Sequence, residues 1–270
     1  MEQLRIIVFG AHPDDCDIGV GGMAALWANA GHHVKFVSVT NGDAGHQTLA
    51  GAALANRRYA EAQAAAQVLG IEYEVLDNHD GELLPTLENR RQIIKLIREF
   101  RPHLVLGHRP NDYHPDHRYT ATLVQDAAYM VTVPNVVAAV THLERNPIFM
   151  YTADGFQKPY PFTPDVIVDI DKVIETKIAA LACHESQFFE WLPYNGGYLR
   201  EMPEENEARG EWFSERMKKR LSRDATRFRD KLIESYGNER GSQIQFAEAF
   251  EWCEYGVALT GEMREKLFTF

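Results

Sequence analysis

The chain has 270 residues, 45% of them hydrophobic and 25% charged, as expected of a soluble globular protein with a sizeable core. A net charge of −11 argues against a nucleic-acid partner, since phosphate backbones require a basic surface. Three scattered cysteines give no disulfide framework or thiolate zinc site. With no basic, apolar leader and no long apolar run, the expectation is a cytoplasmic protein without a transmembrane segment.

In chain order, residues 4–10 read as a buried strand and 17–30 as a helix. A second strand spans Val34 to Val39, followed by the turn Thr40-Asn41-Gly42-Asp43-Ala44-Gly45. An alanine-rich helix covers 52–69 and stops at Gly70. Strand 72–76, helix 88–100, strand 103–107 and helix 117–130 follow. This alternation predicts an α/β fold: a Rossmann-like, mostly parallel sheet with helices on both faces. Beyond residue 145 the pattern is less regular, with a Pro-rich connector at 158–164, a strand at 166–170 and a helix at 172–185. Residues 204–235 alternate in charge and read as a long helix or helix pair. The division expected is a core over 1–190 and a helical C-terminal extension over 191–270, packed on the core rather than independent.

Two short runs carry the chemistry. Ala11-His12-Pro13-Asp14-Asp15 follows the first strand, and His114-Pro115-Asp116-His117 follows the fourth. Loops after the carboxyl ends of parallel strands converge on one crevice, so the two runs can meet there. His12, Asp15 and His117 then offer the three protein ligands of a hydrolytic zinc, or of another divalent metal accepting nitrogen and oxygen donors. Asp14, adjacent but free of the metal, is the candidate general base. His114 is the candidate acid for the leaving group, and Asp116 is placed to hydrogen-bond an imidazole. A lone His or Asp pair after a strand is most often a cap; two such clusters at two parallel strand ends are not explained that way.

These runs resemble the two signatures of the LmbE-like (PIG-L) family of metal-dependent N-deacetylases. The resemblance extends to residues 40–45, to Arg57–Glu61 and to Lys177 through His184-Glu185-Ser186-Gln187, about residues 4–190 in all. It implies a zinc-dependent enzyme that removes an acyl group from an amino sugar such as an N-acetylglucosamine conjugate, and often a homo-oligomer. It carries the ligand role to His12, Asp15 and His117, and the catalytic role to Asp14, His114 and Asp116. It also suggests Arg57, Asp43, Tyr113 and His184 as substrate-binding residues. The region after residue 190 matches no assignable pattern and is where specificity is expected to lie. Two other readings keep the scaffold without the chemistry. One is a non-catalytic sugar-binding or interaction protein. The other is a nucleotide binder built on Gly10 and Gly19-Val20-Gly21-Gly22, although His-Pro-Asp-Asp stands where a dinucleotide fingerprint needs glycines.

Overall fold

The computed structural model describes residues 2–270. Seven strands form one sheet: β1 (Arg5–Gly10), β2 (His33–Thr40), β3 (Glu72–Asn78), β4 (Leu104–Gly107), β5 (Ile148–Thr152), β6 (Val166–Asp169) and β7 (Ala247–Cys253). Their order is β3-β2-β1-β4-β5-β7-β6. The first five neighbours are all parallel, and β7 runs antiparallel between β5 and β6. The strand order reverses between β1 and β4, the switch point where open α/β sheets bind ligands. The two sequence runs leave the sheet from those same two strands.

Helices α1 (Asp15–Asn29), α2 (Gly51–Leu69), α3 (Leu87–Phe100), α4 (Pro115–Met130) and α5 (Ile174–Ala182) follow or join the strands. A π-helical turn, Ser186–Trp191, leads into α6 (Leu192–Asn195), α7 (Asn206–Leu221), α8 (Arg223–Arg227), α9 (Arg229–Gln243) and α10 (Gly261–Phe268). Alternation along β1 fixes the two faces. Ile6 and Val8 pack with α1, α2 and α5 residues, while Ile7 and Phe9 pack with Ile93, Ile97, Leu123 and Ala127 of α3 and α4. Among the described residues no helix is long and apolar enough to cross a membrane.

The segment after residue 190 departs from the helical extension expected of it. It supplies α7 to α9, but β7 returns to pair with both β5 and β6. Ala247, Ala249 and Phe250 alternate between two apolar clusters, so this strand is buried on both faces. Glu248 interrupts its apolar run, which hid the strand from a hydrophobicity pattern. β5 (Ile148–Thr152) escaped notice for a simpler reason, being short and set in a turn-rich stretch.

Glu248 also explains two of the glycines in α1. Its carboxylate accepts from the Gly22 and Met23 amides at 2.7 and 2.8 Å and from Lys177 Nζ at 2.6 Å, while Lys177 also donates to the Ile18 carbonyl at 2.7 Å. A Cβ on Gly22 would lie 2.9 Å from Glu248 Oε1, and one on Gly21 would press on Lys177. Gly21 and Gly22 therefore make room for a buried ion pair inside the protein, while Gly19 faces Thr152. The run does not form a phosphate-binding turn, and the nucleotide reading loses its basis.

Candidate metal centre and cleft

The parallel pairing of β1 with β4 brings the two runs together as the strand directions require. His12 Nδ1 lies 3.3 Å from Asp15 Oδ2 and 3.3 Å from His117 Nε2, and His117 Nε2 lies 3.4 Å from Asp15 Oδ2. These three atoms make a nearly equilateral triangle. Tetrahedral ligands of a zinc-sized cation at about 2.0–2.1 Å stand about 3.3–3.4 Å apart, so the donor set fits such an ion.

The outer atoms of both rings support that fit. His12 Nε2 faces Asp116 Oδ2 at 3.2 Å and Asp80 Oδ1 at 3.1 Å, and His117 Nδ1 faces Asp112 Oδ2 at 3.1 Å. A carboxylate on the far nitrogen fixes each tautomer and leaves the inner nitrogen's lone pair for a cation. Asp116 is itself immobilised by the amides of Gly81 at 2.7 Å and Leu83 at 3.3 Å. Burial alone would push the His12 imidazolium down, yet Asp116, Asp15 and Asp80 together hold its pKa well above the usual histidine range. Burial likewise opposes ionisation of Asp15, and His117, His108 and His12 outweigh it and lower its pKa. The centre is thus built around a surplus of negative charge. Replacing Asp112 with Asn is expected to weaken metal affinity about 10–100-fold, read by calorimetric titration of chelator-stripped protein.

The second run is a helix start. His114 is the N-cap of α4 and its Nδ1 accepts from the Asp116 amide at 3.2 Å; Pro115 occupies the first helical turn. With Nδ1 accepting, Nε2 carries the proton. The ring meets His12 edge-on at 4.7 Å between centroids. Burial first, then the positive influence of His12 and His117, lowers its pKa.

Asp14 stands outside the donor triangle at the cleft wall. Its Oδ1 accepts from Arg58 Nη2 at 3.2 Å, and no protein hydrogen bond among the described residues engages its Oδ2. Arg58 is buried and also lies 3.8 Å from Asp80. Gly42 is required beside it: at φ 71° it is left-handed, and a Cβ there would come within 2.6 Å of Arg58 Nη1. Gly42→Ala is expected to cost about 1–3 kcal/mol and to lower turnover by displacing Arg58, as a thermal melt and a rate assay on one preparation will show.

Three of the residues expected to contact substrate, Arg57, Asp43 and His184, are not among those lining the cleft. Arg57 is held by Glu190 at 2.5 and 3.0 Å and by Glu61 at 3.1 Å, and its neighbour Arg58 lines the cleft. Helix α2 turns by about 100° per residue, so two adjacent arginines cannot share a face. Asp43 clamps the loop after β3, accepting from His79 at 2.6 Å and the Asp80 amide at 3.0 Å, and so positions Asp80. His184 is fully buried against Asp17 at 3.1 Å, beneath the cleft. Burial would lower its pKa, and Asp17 outweighs that and raises it. Tyr113 does line the cleft, largely exposed, with its ring edge-on to His114 and His117.

His108, Asp80, Asp112 and Arg58 went unread in the sequence. His108 stacks on His117 with ring planes 8° apart and accepts from the Ala11 amide at 3.2 Å. The signal was available, because His108 and Asp80 stand just past β4 and β3, the same position as the two runs. The cleft above these groups has a volume of 570 Å³, within the range of small-molecule sites. Its far wall comes from Trp191, Leu192, Asn195 and Arg220, all contributed by the region after residue 190.

Residues 7–128 match the sequence profile of the PIG-L family, GlcNAc-PI de-N-acetylase. The diacetylchitobiose deacetylase of Thermococcus kodakarensis is 35% identical over 203 residues, 70% of this chain and 74% of that protein. The chain belongs to the PIG-L (LmbE-like) family. A second relative within the same reach is a 4-oxalmesaconate hydratase of Pseudomonas putida, 26% identical over 200 residues, 71% of this chain and 77% of that protein. Among solved structures, the N,N'-diacetylchitobiose deacetylase of Pyrococcus horikoshii superposes with a TM-score of 0.73 at 24% identity, covering 94% of this chain and 85% of that one. This PIG-L chain shares the fold of that structure over nearly its whole length.

Proposed function

We propose that this PIG-L protein hydrolyses the N-acyl bond of an amino sugar, with zinc as the divalent cation at His12, Asp15 and His117. The observation carrying this reading is the donor triangle with Asp14 left free beside it. The names of its relatives support the substrate class, since both the profile and the 35%-identical protein concern N-acetylated glucosamine compounds. A cation held there would polarise the acyl oxygen and make water acidic enough to attack at neutral pH.

The chain's own groups do the rest. Asp14 Oδ2 takes a proton from the attacking water, while Arg58 fixes the carboxylate's direction. His114, which lines the cleft, passes to the departing nitrogen the proton that the attacking water gave up to Asp14. Tyr113, beside His114, offers a hydroxyl to the oxyanion. Asp116 and Asp80 orient His12, and Asp112 orients His117, so their contribution is to position rather than to react.

The hydratase relative supplies a second reading, in which the same activated water adds to a carbon–carbon double bond. Acetate release from N,N'-diacetylchitobiose by zinc-loaded protein separates the two. Release that stops with a chelator supports the amidase. Hydration of an unsaturated dicarboxylate without acetate release from any N-acetylglucosamine compound would replace it.

A further inference from the structure

We infer that Trp191 is the platform on which a pyranose ring of the substrate stacks, and that Arg57, acting through Glu190, holds it in place. The inference deepens the amino-sugar reading and rests on it. Of the four tryptophans, three are spent on the fold. Trp27 is fully buried, and its Nε1 donates to the Leu267 carbonyl at 2.7 Å. Trp252 packs on the core and donates to the Val257 carbonyl at 3.2 Å; Trp212 packs on the same core, with Arg216 over its ring at 5.4 Å. Trp191 joins no apolar cluster of the described residues, and its Nε1 donates to none of them. It lines the cleft instead, with the exposed Tyr194 ring nearly parallel to it, 28° between planes and 6.1 Å between centroids. A large ring kept out of the core at the wall of a cleft signals a ligand rather than packing. The C–H bonds of a pyranose form an apolar, slightly positive surface that complements the electron-rich face of an indole, and the free Nε1–H can serve a sugar hydroxyl.

A second observation is how firmly the segment before it is tied down. Ser186–Trp191 is a π-helical turn, and such turns are rare and gather at functional sites. Glu61 of α2 accepts from the Ser186 amide at 2.9 Å and from its hydroxyl at 2.6 Å. Gln187 Nε2 donates to the Gly45 carbonyl at 3.0 Å, and Phe188 and Phe189 pack in the core. Glu190 accepts from both terminal nitrogens of Arg57, at 2.5 and 3.0 Å, and faces His46 Nε2 at 2.8 Å. His46 Nδ1 accepts from the Thr48 and Leu49 amides at 3.2 and 3.0 Å, so Nε2 carries the proton and donates to Glu190. Arg57 bridges Glu61 and Glu190, and so joins both ends of the turn to α2. Every side chain of the turn before Trp191 has a partner within the protein, and Trp191 is the one left for a ligand. A ring mounted this rigidly costs little further ordering when a sugar settles on it.

The test uses N,N'-diacetylchitobiose, with zinc-loaded protein for acetate release and calorimetry of the chelator-stripped protein for binding. Trp191→Ala is expected to raise KM and to weaken binding about tenfold, with kcat within about threefold of wild type and an unchanged melting temperature. Trp191→Phe keeps a flat face and is expected to recover most of the affinity; Trp191→Leu, apolar without one, is not. Sugar binding is expected to shift the wild-type tryptophan emission, and the shift to vanish in Trp191→Phe. Arg57→Gln is expected to raise KM about threefold to tenfold in wild type and to add nothing in the Trp191→Ala background, because it acts through that ring. Affinity within about twofold of wild type in Trp191→Ala overturns the platform. So does equal recovery in Trp191→Leu and Trp191→Phe, or an emission shift that persists in Trp191→Phe. Additive losses from Arg57→Gln overturn the part given to Arg57. Trp191-dependent binding without acetate release would leave the platform standing and remove the amidase reading, and acetate release indifferent to Trp191 would do the reverse.

Discussion

Asp14→Asn is expected to bind one equivalent of zinc as wild type does and to lose turnover by about 10²–10⁴-fold, the usual contribution of a positioned general base. The substitution is nearly isosteric, and the amide oxygen can still accept from Arg58, which holds Oδ1 at 3.2 Å. What disappears is the basic Oδ2 that no protein group engages. Since Asp14 is outside the donor triangle, metal affinity has no reason to change. Steady-state kinetics with calorimetric titration of the same preparation reads both quantities. A variant within tenfold of wild-type kcat would remove Asp14 as the base, and a variant that lost zinc would place Asp14 among the ligands.

The largest stability effect is expected far from the chemistry, at the ion pair between α5 and β7. Lys177 and Glu248 are 2% and 3% exposed, and together they engage the Ile18 carbonyl and two amides of α1. Removing one partner leaves the other charged and buried, which costs about 3–5 kcal/mol. Glu248→Gln is therefore expected to lower the melting temperature by about 6–20 °C in a chain of this size. Lys177→Met combined with Glu248→Gln leaves no unpaired charge and is expected to recover at least half of that loss. Strictly additive losses in this cycle would show that the two groups are not coupled. The pair also bears on the site. It grips α1 one to two turns after Asp15, so the rigidity of the ligand loop depends on a strand that arrives some 230 residues later.

The legibility of the sequence followed the range of the interactions. Elements with local signals were readable: β1 and β2 as apolar runs, α2 by its alanines, and α4 by the His-Pro-Asp-His start. The proximity of His12, Asp15 and His117 was readable because their two runs follow β1 and β4, the second as the start of α4, and the parallel pairing of those strands brings the runs together. The supporting groups depend on which way a side chain leaves a helix or loop. Arg57 and Arg58 are indistinguishable in composition, and only the phase of α2 sends Arg58 to Asp14. His184 shares a motif with Ser186 and Gln187, yet it is spent on Asp17 in the interior. β7 was hidden because its polar residue, Glu248, is partnered by a lysine some 70 positions earlier, and no local pattern records such a pairing.

The most direct test of the centre is a crystal structure of the zinc-loaded protein with anomalous data collected at the zinc edge. The arrangement of donors requires one strong peak about 2.0–2.2 Å from His12 Nδ1, Asp15 Oδ2 and His117 Nε2, with Asp14 outside bonding distance. A peak seated instead among His108, Asp112 and His117, or among His12, Asp80, His114 and Asp116, would contradict it. Either result would reassign the groups that bind and the groups that react.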